Sequence, residues 1–340
     1  MQLRYTPYTL ELKHQFTIAT STRSTTPVVL TEIEHDDIIG YGEASLPPYL
    51  GETQRSVSEF FAHLNLDKYS SPSDLEAILT DVDGLAPGNH AAKAALDIAL
   101  HDWIGKKVGQ SWHGLLGLDP RKSPYTSFTI GIDTKDVIRR KVEEAREFRI
   151  LKVKLGREDD GELIETIREM TDVPLRVDIN QGWNDREEAL RKIEWLATQG
   201  IELVEQPFPR ERLDDHAWLK ERSPLPIVAD EAIVRLSDIR NAVGVYDGIN
   251  IKLMKCTGMR EAYRMMGTAR ALGLKVMLGC MTETSCAISA AAQLASLADW
   301  ADLDGALLIK NDPFTGATLE DGRIVANHTP GIGATKIERL

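Results

Sequence analysis

Short apolar, β-branched runs recur through the later two thirds of the chain about every 25 residues, and amphipathic, charge-rich stretches fill the intervals. The runs predict strands over Ser127–Gly131, Leu151–Leu155, Leu175–Ile179, Ile201–Glu205, Ile227–Asp230, Gly248–Leu253, Lys275–Leu278 and Leu303–Leu308. The stretches between them, such as Lys135–Phe148, Glu187–Thr198 and Met259–Leu272, predict helices. Strand–helix alternation at this spacing predicts a parallel sheet, and eight strands are the number that closes into a barrel. In such a barrel the chemistry sits at the C-terminal strand ends.

The first part of the chain reads differently. Gln2–Leu12, Pro27–Glu34 and Ile38–Glu43 predict strands, the last two joined by a turn at Asp36-Asp37. Two segments predict loops: Thr17–Thr26, small and polar with one Arg23, and Ser45–Thr53, which holds Pro47, Pro48, Tyr49 and Gly51. The pattern then turns helical up to residue 116. Ala92, Ala95, Leu96, Ala99 and Trp103 share one buried helix face, with Asn89 in the N-cap position. The first domain is therefore expected to be α+β. After Asp312 come loops and short strands, with a turn signal at Asp321-Gly322, expected to return to that domain.

Composition narrows the function classes. A length of 340 residues suits a barrel of about 250 residues plus a smaller domain, and 42% hydrophobic with 27% charged residues is ordinary for a globular chain. A net charge of −12 without a dense Lys/Arg run argues against a nucleic-acid partner. No apolar stretch approaches the ~20 residues that cross a bilayer, and the opening residues lack a signal-peptide pattern. Cys256, Cys280 and Cys286 are an odd set without metal-like spacing, so they read as reduced thiols. The expected location is the cytoplasm.

Charged residues sit at or near the ends of five successive predicted strands: Lys152 and Lys154, Asp178, Glu205, Asp230, and Lys252. Side chains alternate across a strand, so Lys152 and Lys154 share a face and point into the barrel. Two ammonium groups so close, and partly buried, are expected to depress at least one lysine pKa, which suits a general base. Three carboxylates converging without a cation would repel, and an oxygen-only donor set suits a hard ion such as Mg²⁺. Asn180, Gln206 and Glu231 adjoin the three acids and are expected to hydrogen-bond around them or to orient Lys252. Lys252 would lie across the barrel mouth from Lys154. A substrate carboxylate between them would expose its α-carbon to a base on each face. Removal of the α-proton gives an enediolate, and return from the other side inverts the centre. Asp302 and Asp304 repeat the period-two spacing with acids, a pair suited to a substrate ammonium.

With these residues in place, the whole chain resembles the enolase superfamily, specifically its muconate-lactonising-enzyme subgroup and, within that, the dipeptide epimerases. Gly40-Tyr41-Gly42-Glu43, Ala94–Ala99 and Pro330-Gly331-Ile332-Gly333 are similar to segments of that family's capping domain and C-terminal return. The resemblance implies an α/β fold: a (β/α)₇β TIM-like barrel over residues 119–312, capped by an α+β domain over 1–118 that 313–340 completes. It implies that Lys154 and Lys252 are the two bases, with Lys152 completing the Lys-x-Lys motif. It also implies that Asp178, Glu205 and Asp230 hold one Mg²⁺ per subunit, and that Asp302 and Asp304 hold the N-terminal ammonium of a dipeptide. Arg23 would face the side chain of a substrate Glu, and Tyr49 would cover the site as part of a second lid, Ser45–Leu50. The implied reaction is epimerisation of L-Ala-D/L-Glu-type dipeptides derived from cell-wall peptides, by an enzyme of a family that often assembles into homo-oligomers.

Other readings use the same machinery. An o-succinylbenzoate synthase or a cycloisomerase would need Mg²⁺ and lysine, but has no ammonium for Asp302 and Asp304. An N-acylamino acid racemase substrate carries an uncharged nitrogen. A Schiff-base aldolase leaves the three acids and the lysine pair unexplained. A barrel retained only as a metal-dependent binding protein would not need a complete acid/base set.

Overall fold

The computed structural model describes residues 1–18, 21–46, 48–157 and 159–337. Three antiparallel strands open the chain: β1 (Gln2–Thr17), β2 (Thr22–His35) and β3 (Ile38–Ser45). Asp36 and Asp37 both take the left-handed conformation, with φ of 49° and 60°, and join β2 to β3 in a two-residue hairpin. Helices α1 (Gln54–Ala62), α2 (Leu75–Leu85), α3 (His90–Val108) and the single turn α4 (Trp112–Leu115) follow. α3 lies directly on β3. A Cβ at Gly42 would come within 2.0 Å of Ala95 O, and one at Gly40 within 2.1 Å of Ala99 O. The glycines of the strand and the alanines of the helix are two sides of a single close contact.

Asn89 does precede α3, but in the left-handed region, with its side chain donating to Pro87 O. The carboxylate of Glu52 instead accepts from Ala91 N and Ala92 N. The free N–H groups of a first helical turn need an acceptor, and here another segment supplies it, with favourable charge.

Eight parallel strands come next, adjacent in chain order: β4 (Ser127–Ile130), β5 (Ile150–Lys154), β6 (Leu175–Asp178), β7 (Ile201–Glu205), β8 (Ile227–Ala229), β9 (Gly248–Lys252), β10 (Lys275–Gly279) and β11 (Trp300–Asp302). β11 meets β4 through the isolated bridge Thr126–Ala301, and Ser127 Oγ donates to Asp302 Oδ1 across the seam at 2.7 Å. The crossovers are α5 (Lys135–Glu144), α6 (Asp160–Arg168), α7 (Arg186–Thr198), α8 (Leu213–Lys220), a 3₁₀ helix at Leu236–Ala242, α9 (Met259–Ala271) and α10 (Ser285–Ala292).

Two expectations need correction. The eighth barrel strand is Trp300–Asp302, not Leu303–Leu308. Asp304 O accepts from Leu307 N, so the apolar run turns into a 3₁₀ helix over Gly305–Leu308 instead of extending the ladder. Thr17–Thr26, expected as a loop, is largely strand, because β1 runs to Thr17 and β2 starts at Thr22. Ala19 and Thr20 lie outside the described residues, as does Pro47 of the second expected lid. The exposed arm so formed carries polar side chains on a two-stranded ribbon, which in sequence reads as a loop. A register shift between Glu11 and Phe16 offsets the arm, and Thr17 O accepts from Ile132 N at the end of β4.

At the end of the chain, β12 (Phe314–Thr315) pairs with β15 (Thr335–Lys336), and β13 (Thr318–Glu320) with β14 (Arg323–Val325) around the Asp321-Gly322 turn. The segment returns to the first domain: Ile332 N donates to Asp102 Oδ1, and Gly331 N to Gln110 O. Among the described residues, no helix is long and apolar enough to cross a membrane.

Candidate active site

The charged rungs converge at the C-terminal strand ends. On β5 the apolar Leu151 and Val153 point outward and both lysines point inward, each at least nine-tenths buried. Lys152 Nζ lies 2.7 Å from Asp302 Oδ2, 2.7 Å from Glu205 Oε2 and 3.1 Å from Asp178 Oδ2. Lys154 Nζ lies 2.6 Å from Asp178 Oδ2. Lys152 is not depressed. Burial pulls its pKa down, but Asp178, Asp302 and Glu205 outweigh burial and hold the ammonium well above the ordinary lysine range.

Asp178, Glu205 and Asp230 offer ligand oxygens that all lie within 4.8 Å of one another, and all three residues are buried. Burial pushes Asp178 up, but Lys152 and Lys154 overcome it and bring its pKa to about 2. Burial and then Asp178 raise Glu205 to about 7. Burial likewise opposes ionisation of Asp230, yet Lys252 and Lys255 hold that carboxyl well below its ordinary value. Close, buried, oxygen-only donors of this kind fit a hard divalent cation.

Lys252 Nζ lies 2.7 Å from Asp230 Oδ2. Burial acts to discharge it, but Asp230 and Tyr49 raise its pKa well above the ordinary range. β5 and β9 are four places apart in a ring of eight, so Lys154 and Lys252 enter the mouth from opposite sides. Two neighbours were missed by sequence reasoning. Lys255 Nζ contacts Asp230 Oδ1 and Asp230 O, both at 2.5 Å, and Asn250 Nδ2 donates to Glu205 Oε1 at 2.8 Å. Asn250 was legible from period two, since it shares the inward face of β9 with Lys252. Lys255 lies beyond the strand, and only its apolar neighbours hinted at burial.

Lys152, Lys154, Asp230 and Lys252 line one cavity of about 510 Å³, together with Arg23, Tyr49, Asn180, Glu231, Asp302 and Asp304. Asp302 ends β11, whereas Asp304 has left the strand and accepts from Thr129 N at 2.7 Å. The two carboxylates face the same cavity without sharing a strand face. Burial, then Asp302, lifts the Asp304 carboxyl to about 7. Arg23 reaches in from the arm, donates to Thr282 Oγ1 at 3.1 Å and stands over the Phe16 ring. Tyr49 is 49% exposed overall, while its hydroxyl points to Met281 Sδ at 2.9 Å. Asn180 N donates to Asp178 Oδ1, and Asn180 Nδ2 reaches Glu231 Oε1 at 3.3 Å. Burial and Asp230 lift the Glu231 carboxyl to about 8. Gln206 supports the site from behind: its Oε1 accepts from Asp230 N and Ala232 N.

A barrel with three strand-end carboxylates, two facing lysines and a sheet-and-helix cap is the architecture of the enolase superfamily. Residues 4–117 match the N-terminal domain of the mandelate racemase/muconate lactonizing enzyme family, and residues 134–339 match the enolase C-terminal domain-like family. The chain belongs to the mandelate racemase/muconate lactonizing enzyme family of that superfamily. An L-Ala-D/L-Glu epimerase of Bacteroides thetaiotaomicron is 57% identical over 338 residues, 99% of this chain and 88% of that protein. The substrate-liganded L-Ala-D/L-Glu epimerase of Bacillus subtilis superposes with a TM-score of 0.92 at 31% identity, over 98% of each chain. A dipeptide epimerase of Enterococcus faecalis, complexed with Mg and L-Leu-L-Tyr, superposes with a TM-score of 0.89 at 33% identity, over 98% of this chain and 99% of the other.

Proposed function

We propose that this chain is a Mg²⁺-dependent dipeptide epimerase acting on L-Ala-D/L-Glu-type dipeptides. The observation that carries the reading is the pair Lys154 and Lys252, lining one cavity with Asp230, whose ligand oxygen lies within 4.8 Å of those of Asp178 and Glu205. In this reading the three acids hold the cation, which supplies positive charge to the substrate carboxylate and so acidifies the α-proton. Lys154 takes the α-proton from one face, and Lys252 delivers a proton to the other. Lys152 holds Asp178 and Glu205 in place and stays charged throughout. Asp304, with Asp302 beside it, receives the N-terminal ammonium, which gives the Asp304 carboxyl the counter-ion it lacks. Arg23 faces the acidic side chain of the second residue, and the arm and Tyr49 exclude water. Asn180 and Glu231 steady the Asp178 and Asp230 side of the mouth.

An elimination or a cycloisomerisation needs one base, so two opposed lysines favour transfer of a proton across a single carbon. The acids at Asp302 and Asp304 favour a free amine over an N-acyl group. Free cysteines throughout accord with a cytoplasmic enzyme that works on peptides released from the cell wall. The test is L-Ala-L-Glu with Mg²⁺ in D₂O, followed by NMR. Loss of the Glu α-proton signal with appearance of L-Ala-D-Glu is the expected result. No exchange on this substrate or on a panel of other dipeptides would overturn it.

A further inference from the structure

A second cavity of about 180 Å³ lies beneath the β1–β2 arm, and its walls include Phe16, Thr129 and Leu308, the same three residues that line the substrate cavity. Leu12, Phe128, Phe148 and Leu319 give it an apolar side, with the Phe128 and Phe148 rings 4.7 Å apart. Polar and charged residues line it too, Lys13, His14, Gln15, Lys141, Glu144 and Glu147; His14 pairs with Glu144 at 2.7 Å, and the buried Lys141 with Asp133 at 3.2 Å. The partition abuts the group proposed to take the substrate amine, because Thr129 N donates to Asp304 Oδ2 at 2.7 Å and Leu307 N donates to Asp304 O at 2.8 Å. Phe16 and Leu308 are both only half-buried, so neither is fixed in a core.

From this we infer that the second cavity is a latent subsite for a large apolar side chain on the first residue of the dipeptide, shut off from the substrate cavity by Leu308 and Phe16. The inference rests on the epimerase reading and deepens it. An amine anchored at Asp304 puts its own α-carbon against the partition, so the side chain on that carbon either stays as small as a methyl group or passes through. The room behind suits an aromatic ring, since an apolar cavity of roughly 150 Å³ accommodates benzene. Leu12, Phe128, Phe148 and Leu319 would give an aromatic side chain its apolar contacts.

The experiment compares kcat/KM for L-Phe-L-Glu and L-Ala-L-Glu. Both substrates carry the same second residue, so any effect relayed through Arg23 cancels in the ratio. Wild-type enzyme is expected to favour L-Ala-L-Glu. Leu308→Ala should raise the Phe/Ala ratio at least about tenfold, a loss of discrimination of about 1.4 kcal/mol. Adding Leu319→Phe, which refills the second cavity without touching the first, should reverse the gain. A ratio unmoved in folded Leu308→Ala overturns the inference, and so does a gain that Leu319→Phe leaves in place. If Leu308→Ala does not fold, Phe16→Val opens the partition from the arm side and is read by the same ratio. Failure of wild-type enzyme to epimerise L-Ala-L-Glu counts against the epimerase reading instead.

Discussion

Lys255 places its ammonium 2.5 Å from Asp230 Oδ1, on the side of the carboxylate opposite to the oxygen that faces Lys252. Its other contacts are Asp230 O and Asn250 O, and it is only 1% exposed. A second lysine therefore holds one oxygen of Asp230 independently of Lys252. Lys255→Met would leave a buried carboxylate and two carbonyls without this donor, at a cost of about 3–5 kcal/mol in urea denaturation. Where the variant folds, calorimetry should show Mg²⁺ binding roughly 10–100-fold weaker. Unchanged affinity would reduce Lys255 to a packing role.

The proposed metal dependence has a readout separate from turnover. At a Mg²⁺ concentration about 100 times its Kd, unfolding in urea should need about 2.7 kcal/mol more than in chelator. Glu205→Gln removes one donor from the triad and should lose most of that increment. Chelation should also abolish epimerisation, and added Mg²⁺ should restore it. An increment that persists in Glu205→Gln would put the ion elsewhere.

The two lysines separate by stereochemistry. Lys154→Ala and Lys252→Ala should each lower epimerisation by about 10²–10⁴-fold. Each should still exchange the α-proton of one epimer in D₂O, and the two variants should retain opposite epimers. A single variant that still exchanges both epimers would refute the assignment of one base to each face.

How much of this was visible in the sequence follows from how local each determinant is. Lys152, Lys154, Asp178, Glu205, Asp230 and Lys252 were legible because strand alternation and the barrel repeat together place strand-end side chains in one mouth. The eighth strand was misplaced because Leu303 and the apolar residues after it look like a strand, while the turn depends on Asp304 O meeting Leu307 N. The arm was misread because a two-stranded ribbon that buries little carries no hydrophobic alternation. Lys255 and Glu52 escaped notice since each serves a partner distant in sequence or beyond its own element.

The contact between β3 and α3 predicts its own fragility. Gly42→Ala would drive a methyl group to 2.0 Å from Ala95 O, a backbone atom that cannot turn aside. Overpacking ordinarily costs about 1–3 kcal/mol, and a backbone neighbour puts this site at the upper end or beyond. The check is the urea midpoint of the variant. A loss under about 0.5 kcal/mol, the range of an ordinary surface change, would mean that strand and helix separate freely.

Glu43 joins the first domain to the barrel and should make that junction sensitive to pH. Its buried carboxylate accepts from Thr284 N at 3.0 Å and from Thr284 Oγ1, at the N-cap of α10. Burial raises the carboxyl from 4.5 to about 7, against the opposing pull of the Thr284 bonds. Between those two values the folded chain holds a proton that the unfolded chain releases, so stability falls as pH rises. The contribution is fully present below pH 4.5 and is lost as pH passes through about 7. The shift corresponds to about 3 kcal/mol. Glu283, also buried and raised to about 8, slopes the same way, so the test is a difference between two proteins. Glu43→Gln keeps an acceptor for Thr284 N and cannot ionise. Wild-type protein should therefore lose more stability than Glu43→Gln between pH 5 and pH 8 by about that amount in urea titrations. Parallel losses in the two proteins would mean that Glu43 ionises at no cost to the junction.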